Sequence, residues 1–224
     1  MTALRNRSAI FAYLLGLAAL LATAAPASAG NGGLTFAEAD SSLIAPGQML
    51  GQPVKFRGTI PGASNGETIE IQKLDAAAGW VVVATTTTTS GGDFTAQWLP
   101  TKAEKLSVRA VPMNATIRAT NSIPVKTISV YKSFSATWFG PGFYGNRTGC
   151  GRKMTRKLIG VAHKKLKCGT KVEIYYKGRV IVAPVVDRGP FRHNTEYDLT
   201  YAAAKKLKFK QTAKVGALAL PAGS

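Results

Sequence analysis

The chain has 224 residues, 29 Lys+Arg against 11 Asp+Glu, and a formal net charge of +18. Its length allows one or two domains, and its charge points to polyanionic partners. The charge is uneven: residues 30–130 hold 8 basic and 7 acidic side chains, residues 131–224 hold 19 and 4, so the sequence reads as two units with different partners.

The first segment is an export signal. Arg5 and Arg7 precede an apolar run from Ala9 to Ala25, and Ala27-Ser28-Ala29 is a small-x-small cleavage pattern, which makes residues 1–29 a signal peptide cut before Gly30. The alternative, an uncleaved anchor, needs about 20 apolar residues, and this run is short. No cysteine lies near the cut, so a lipid-anchored lipoprotein is not expected. The mature chain is therefore expected as a secreted, wall-associated monomer without an integral membrane span. Export removes nucleic acid as a partner, although charge alone would permit it. Wall polymers, acidic glycans and lipid headgroups remain.

Residues 30–50 are rich in Gly, Ala and Ser and read as a leader. Residues 51–130 then alternate short β-type runs with turns: "VKFRGTI", "ETIEIQKL", "WVVVATTTTT", "FTAQWL", "KLSVRAV" and "IPVKTISV". Strands at this spacing predict an immunoglobulin-like β-sandwich. Trp80 and Trp98 suit its core better than a sugar platform. The segment has no histidine or cysteine, its acids are scattered, and it reads as a spacer or adhesion module.

Residues 131–224 offer "FSATWFG", "KLIGVAH", "TKVEIYY" and "RVIVAPVVD" as extended runs, and "DLTYAAAKKLKF" as a helix that Asp198 or Thr200 would cap. Short strands with one helix predict a small barrel. Cys150 and Cys168 form an isolated pair, which in an exported chain reads as a disulfide worth about 3 kcal/mol in the loop-entropy model. A metal site with His163 is the competing reading; its spacing is poor, so no metal and no cofactor is expected. The stretch "VVDRGPFRHN" sets Asp187 at the mouth of an apolar strand before a Gly189-Pro190 corner, where an acid is either turn chemistry or a catalyst. His193 reads as a surface loop residue.

Four motifs in order, "ATWFGPGFYGNRTGCG", "VAHKKLKCGTKVEI", "VVDRGPF" and "DLTYAAAKKL", resemble the double-psi β-barrel domain of the rare lipoprotein A family, septal-ring lytic transglycosylases related in fold to expansins. The resemblance covers residues 136–220. It implies a six-stranded double-psi β-barrel with one or two short helices, so that the fold class is mainly β, with sandwich (51–130) followed by barrel (131–224). It also implies cleavage of peptidoglycan glycan strands between their two sugars, with the muramic C6 hydroxyl attacking C1 to leave a 1,6-anhydro end. With an internal nucleophile, one carboxyl group can protonate the leaving oxygen and then take the hydroxyl proton.

Asp187 stands at the family's catalytic aspartate, and partial burial is expected to raise its pKa. Arg188 is expected on the opposite face of a regular strand. His163 matches the family histidine, expected to orient Asp187 or a sugar hydroxyl. Asp198 opens "DLT", like the D-L-S of expansins, where the aspartate lines the polysaccharide groove; two aspartates on one groove would make a carboxylate pair. Trp138, Phe143 and Tyr144 suggest a sugar shelf, and Arg152 and Arg188 further substrate contacts. One departure counts against catalysis: the family's T-A-N-G-E reads "TGCGR" here, so Arg152 replaces a glutamate, and a guanidinium near Asp187 would depress its pKa. The alternative function is a non-catalytic, expansin-like wall-binding or loosening module. The lysine-rich stretches "RKMTRK" and "HKKLK" are expected to hold the domain to anionic wall polymers, teichoic acids or peptide-stem carboxylates.

Overall fold

The computed structural model describes residues 35–38, 47–192 and 194–222; the expected signal peptide and His193 lie outside them. These residues fall within one compact unit, Asn31–Ser224. Among them no helix is long and apolar enough to cross a membrane.

The first half contributes β1 (Thr35–Glu38), β2 (Gly47–Met49), β3 (Val54–Thr59), β4 (Thr68–Asp75), β5 (Gly79–Thr87), β6 (Asp93–Trp98) and β7 (Lys105–Pro112). A short helix, α1 (Ala115–Thr120), follows, its first turn capped by Asn114, whose side chain accepts from the N–H groups of Thr116 and Ile117. The long strand β8 (Lys126–Phe139) comes next. One sheet has the order β1-β3-β6; the other runs β8-β7-β4-β5, with β2 added parallel to β8. Alternation along the strands sends Val54, Phe56, Phe94 and Ala96 inward from the first sheet, to meet Ile69, Ile71, Val108 and Val130 of the second in one core. Trp98 packs partly buried against this core. Trp80 does not enter it; Arg109 lies over its ring at 4.1 Å. Two pieces of the segment expected as leader are strands: β1 pairs with β3 and β2 with β8.

The second half adds β9 (Val161–His163), β10 (Lys171–Tyr176), β11 (Arg179–Asp187), β12 (Tyr197–Thr200), α2 (Tyr201–Leu207) and β13 (Ala213–Ala219). Their order, β12-β9-β11-β10-β13-β8, is closed by a further β12–β8 pairing, which makes a six-stranded barrel. Two pairings are parallel, β9–β11 and β12–β8, among antiparallel neighbours. Val161, Val172, Ile174, Val185, Leu199 and Val215 fill the interior, under a lid of Ala203, Ala204 and Leu207 from α2. Strand β8 serves both halves: Lys126–Ser129 pair with β7, and Lys132–Ala136 with β13. Of "KLIGVAH" only Val161–His163 is strand. The helix is capped by Thr200, whose Oγ1 accepts from Ala203 N–H, so Asp198 is left in β12 and is not the cap.

Gly160 fixes the entry to β9. Its N–H donates to Thr200 Oγ1 (3.2 Å) and its carbonyl accepts from Thr200 N–H (3.0 Å), while a Cβ there would overlap the Val186 side chain. Gly160→Ala is expected to cost about 1–3 kcal/mol by overpacking, read as a lower urea midpoint with unchanged m-value. An unchanged midpoint would mean that Val186 moves aside freely.

Candidate active site

A groove of about 620 Å³ opens where β8, β11 and β12 end. Asp187 and Asp198 both line it. They reach it from different strands: β12 pairs with β9 so that Asp198 lies opposite Ala162, and β11 pairs with β9 so that Asp187 also lies opposite Ala162. The β11 ladder shifts register between Val185 and Asp187. Such a bulge re-aims a side chain at a barrel rim, and the regular alternation expected for Asp187 and Arg188 fails here.

Asp187 Oδ1 accepts from Gly149 N–H (2.6 Å) and from Arg188 N–H (2.7 Å). Gly149 must be glycine for this contact, because a Cβ would come within 2.9–3.1 Å of Arg188 Cγ, Cβ and N. Asp198 accepts from Thr137 Oγ1 (2.7 Å). Burial pushes its pKa up to about 6, assisted by the charge of Asp187 and opposed by the Thr137 bond and by Arg192.

Arg188 lines the groove, but its guanidinium is committed elsewhere. It donates to the carbonyls of His163 (3.1 Å) and Leu166 (2.7 Å) and to Cys168 Sγ (2.9 Å). His163 is not part of the groove wall. Its Nδ1 accepts from the N–H groups of Lys165 (3.0 Å) and Leu166 (2.9 Å), and its ring packs 4.8 Å from Tyr197. Desolvation, then Arg188, lowers its pKa, so the neutral imidazole acts as a clasp for the turn behind Asp187. No hydrogen bond joins it to Asp187.

The aromatic shelf divides. Trp138 (37 % exposed) and Phe143 (54 %) line the groove, Trp138 fixed by donating Nε1–H to the Lys210 carbonyl (3.2 Å). Tyr144 does not line it. Its hydroxyl lies beneath Gly140, and Arg156 covers its ring at 5.4 Å, because Gly140 lacks the Cβ that would exclude it. Arg152 is also off the groove. It borders a separate small cavity with Cys150 and Cys168, and among the described residues no ion pair joins it to Asp187. Its expected depression of Asp187 therefore lacks a contact.

Phe191 was missed by the sequence reading. It is 82 % exposed and lines the groove beside Arg192. An aromatic directly after Gly189-Pro190, outside any strand, has no core to enter, and that was the available signal. Cys150 and Cys168 form a disulfide with a Cα–Cα distance of 5.6 Å. This removes both thiolates from any metal site with His163, and among the described residues no group of three or more His, Cys, Asp or Glu is placed to hold a metal ion.

Residues 131–217 match the double-psi β-barrel family model described as "Lytic transglycolase". The chain is 39 % identical over 85 residues to the "Probable endolytic peptidoglycan transglycosylase RlpA" of Aquifex aeolicus, covering 37 % of this chain and 38 % of that protein. It is 34 % identical over 105 residues to the "Endolytic peptidoglycan transglycosylase RlpA" of Rickettsia felis, covering 45 % and 46 %. The match thus spans less than half the length of these relatives. Among solved structures, the Streptomyces papain inhibitor aligns with 38 % of this chain and 90 % of its own, at TM-score 0.30 and 24 % identity. On the closed six-stranded barrel, its two parallel pairings and the family match together, residues 131–217 form a double-psi β-barrel domain similar to that of the rare lipoprotein A proteins.

Proposed function

We propose that the protein is a secreted, monomeric lytic transglycosylase of the cell wall. It cleaves peptidoglycan glycan strands and leaves 1,6-anhydromuramyl ends, with residues 131–224 as the catalytic unit and residues 51–130 as a spacer. The observation that carries this reading is that two carboxyl groups, Asp187 and Asp198, line one aromatic-walled groove, with the pKa of Asp198 pushed up by burial to about 6. A carboxyl group whose pKa is raised by burial keeps a proton that it can give to a leaving oxygen. The activity named for the relatives supports the reaction class, and Arg152, which replaces the family's glutamate, borders a separate cavity and not the groove.

The two steps divide between the aspartates. Protonated Asp198 gives its proton to the leaving glycosidic oxygen as the C1–O bond breaks. The C6 hydroxyl oxygen then bonds to C1, and its proton passes to Asp187, whose carboxylate is oriented by Gly149 and Arg188. Proton return between the two acids resets the site. Trp138, Phe143 and Phe191 stack the sugar rings. His163 and Arg188 are positioning residues, holding the 163–168 turn behind Asp187. The basic half, with 19 Lys+Arg and 4 Asp+Glu, keeps the enzyme on anionic wall material.

The test is a digest of purified peptidoglycan, read by mass spectrometry for 1,6-anhydromuramyl fragments across pH. A raised acid holds its proton below its folded pKa, so turnover is expected to fall as pH rises through about 6. Asp198→Asn removes the donor and should slow the reaction by about 10²-fold or more, abolishing that alkaline limb. The same shift makes Asp198 a stability cost at high pH: folded stability falls as pH rises from the unfolded pKa of about 3.9 through about 6, and Asp198→Asn should be the more stable protein at pH 8. Hydrolytic products with free reducing ends would overturn the transglycosylase assignment.

A further inference from the structure

The sequence carries no Asp or Glu between Glu104 and Glu173. Within that acid-free stretch, eight Lys and Arg side chains fall between Arg147 and Lys167. All eight residues are exposed, and none forms an ion pair among the described residues. A loop of unneutralised cations repels itself and is held in place only if something fixes its backbone. Several contacts do. The Cys150–Cys168 disulfide closes it; Arg147 and Lys153 meet in an antiparallel bridge; buried Met154 exchanges backbone bonds with Gly145 and Asn146; Arg188 holds the Leu166 carbonyl from the groove side. Pre-organised charge of this kind loses little entropy on binding.

We infer that the disulfide-closed 147–168 loop is a docking surface for a phosphodiester polymer of the wall, distinct from the glycan groove. The groove mixes two acids, Asp187 and Asp198, with Arg188, Arg192 and aromatic rings, a lining that suits a neutral sugar chain, whereas the loop carries charge of a single sign and suits a polyanion. Arginines among the lysines supply planar forks for phosphate oxygens. A peptide brings amines as well as carboxylates and would need acids on its receiving surface; this segment has none. A chain with one phosphate per repeat matches a surface of a single sign. Arg152, exposed and off the groove, is then one of the docking cations.

The experiment measures binding of the mature protein to poly(glycerol phosphate) from 50 to 200 mM salt. One variant carries Arg152→Gln, Lys153→Gln, Arg156→Gln and Lys157→Gln. A control carries the same number of changes elsewhere on the barrel, at Lys132, Lys177, Lys206 and Lys214. With about 0.7 counterions released per contact, losing four cations should flatten the log–log salt slope by about 3 and weaken binding at least about tenfold at low salt. The control should change it less than about threefold. Equal effects of the two variants would mean that net charge alone binds, and would overturn the site. Poly-glutamate of matched charge binding as tightly as poly(glycerol phosphate) would overturn the phosphodiester assignment. Asp187→Asn, assayed alongside, should bind like wild type, so that failure of the docking surface and failure of the proposed catalysis are read separately.

Discussion

Asp187→Asn should leave a folded protein that releases almost no anhydromuramyl product. Asparagine presents the same Oδ1 to Gly149 N–H and Arg188 N–H, now 2.6 and 2.7 Å away, so the loop and the bulged end of β11 keep their geometry. Only the ability to take a proton from the C6 hydroxyl disappears, and a positioned general base contributes about 10²–10⁴-fold. Asp187→Ala should lose the same activity and also some stability, about 1 kcal/mol, because two backbone donors lose their acceptor at a partly exposed edge. The contrast separates chemistry from scaffolding: equal urea midpoints for wild type and Asn, a lower one for Ala. An Asn variant that digests peptidoglycan near the wild-type rate would assign the base to another group on the groove, with Asp198 the remaining carboxyl.

The sequence made the barrel legible because its signals are local and ordered. "VAH", "VVDRGP" and "DLTYAAAKKL" each mark one element, and the structure turns them into β9, the end of β11, and β12 with α2. The raised pKa of Asp198 was not legible, since it comes from burial in the assembled barrel, and the aim of Asp187 was not, since it depends on a bulge. Read as a regular strand, Asp187 enters an apolar interior. The register shift at Val185/Asp187 turns it instead onto the N–H of its neighbour Arg188 and of Gly149, 38 residues away, while Asp198 is buried beside Thr137. The role of Arg188 was illegible for the same reason: its partners, the carbonyls of His163 and Leu166, carry no sequence signature. The continuity of β8 across residue 131 escaped a reading that placed a unit boundary there, because periodicity shows where a strand runs and not how many sheets it joins.

That shared strand gives the second large effect. Glu173 on β10 is buried, with 6 % of its side chain exposed, and receives hydrogen bonds from Lys105 Nζ (2.8 Å), Ser129 Oγ (2.7 Å) and Tyr131 Oη (2.6 Å). Lys105 comes from β7, Ser129 and Tyr131 from β8, so one carboxylate ties the barrel to the first-half sheet. Burial alone would raise its pKa; the bonds from Lys105, Ser129 and Tyr131 outweigh burial and hold it below the usual value. Glu173→Ala should lose about 3 kcal/mol, because the buried Ser129 and Tyr131 hydroxyls are left without their acceptor beside a void, while the half-exposed Lys105 turns to water. Glu173→Gln keeps an acceptor for two of them and should lose about half as much. The sign with pH follows from the depressed pKa. The ionic contribution is present above the unfolded value of about 4.3 and is lost as pH falls through the lower folded value. The gap between wild type and Glu173→Gln should therefore be widest near neutrality and close under acid. Urea denaturation at pH 7 and pH 3 measures it, and a gap independent of pH would mean that the carboxylate's hydrogen bonds, and not its charge, join the two halves.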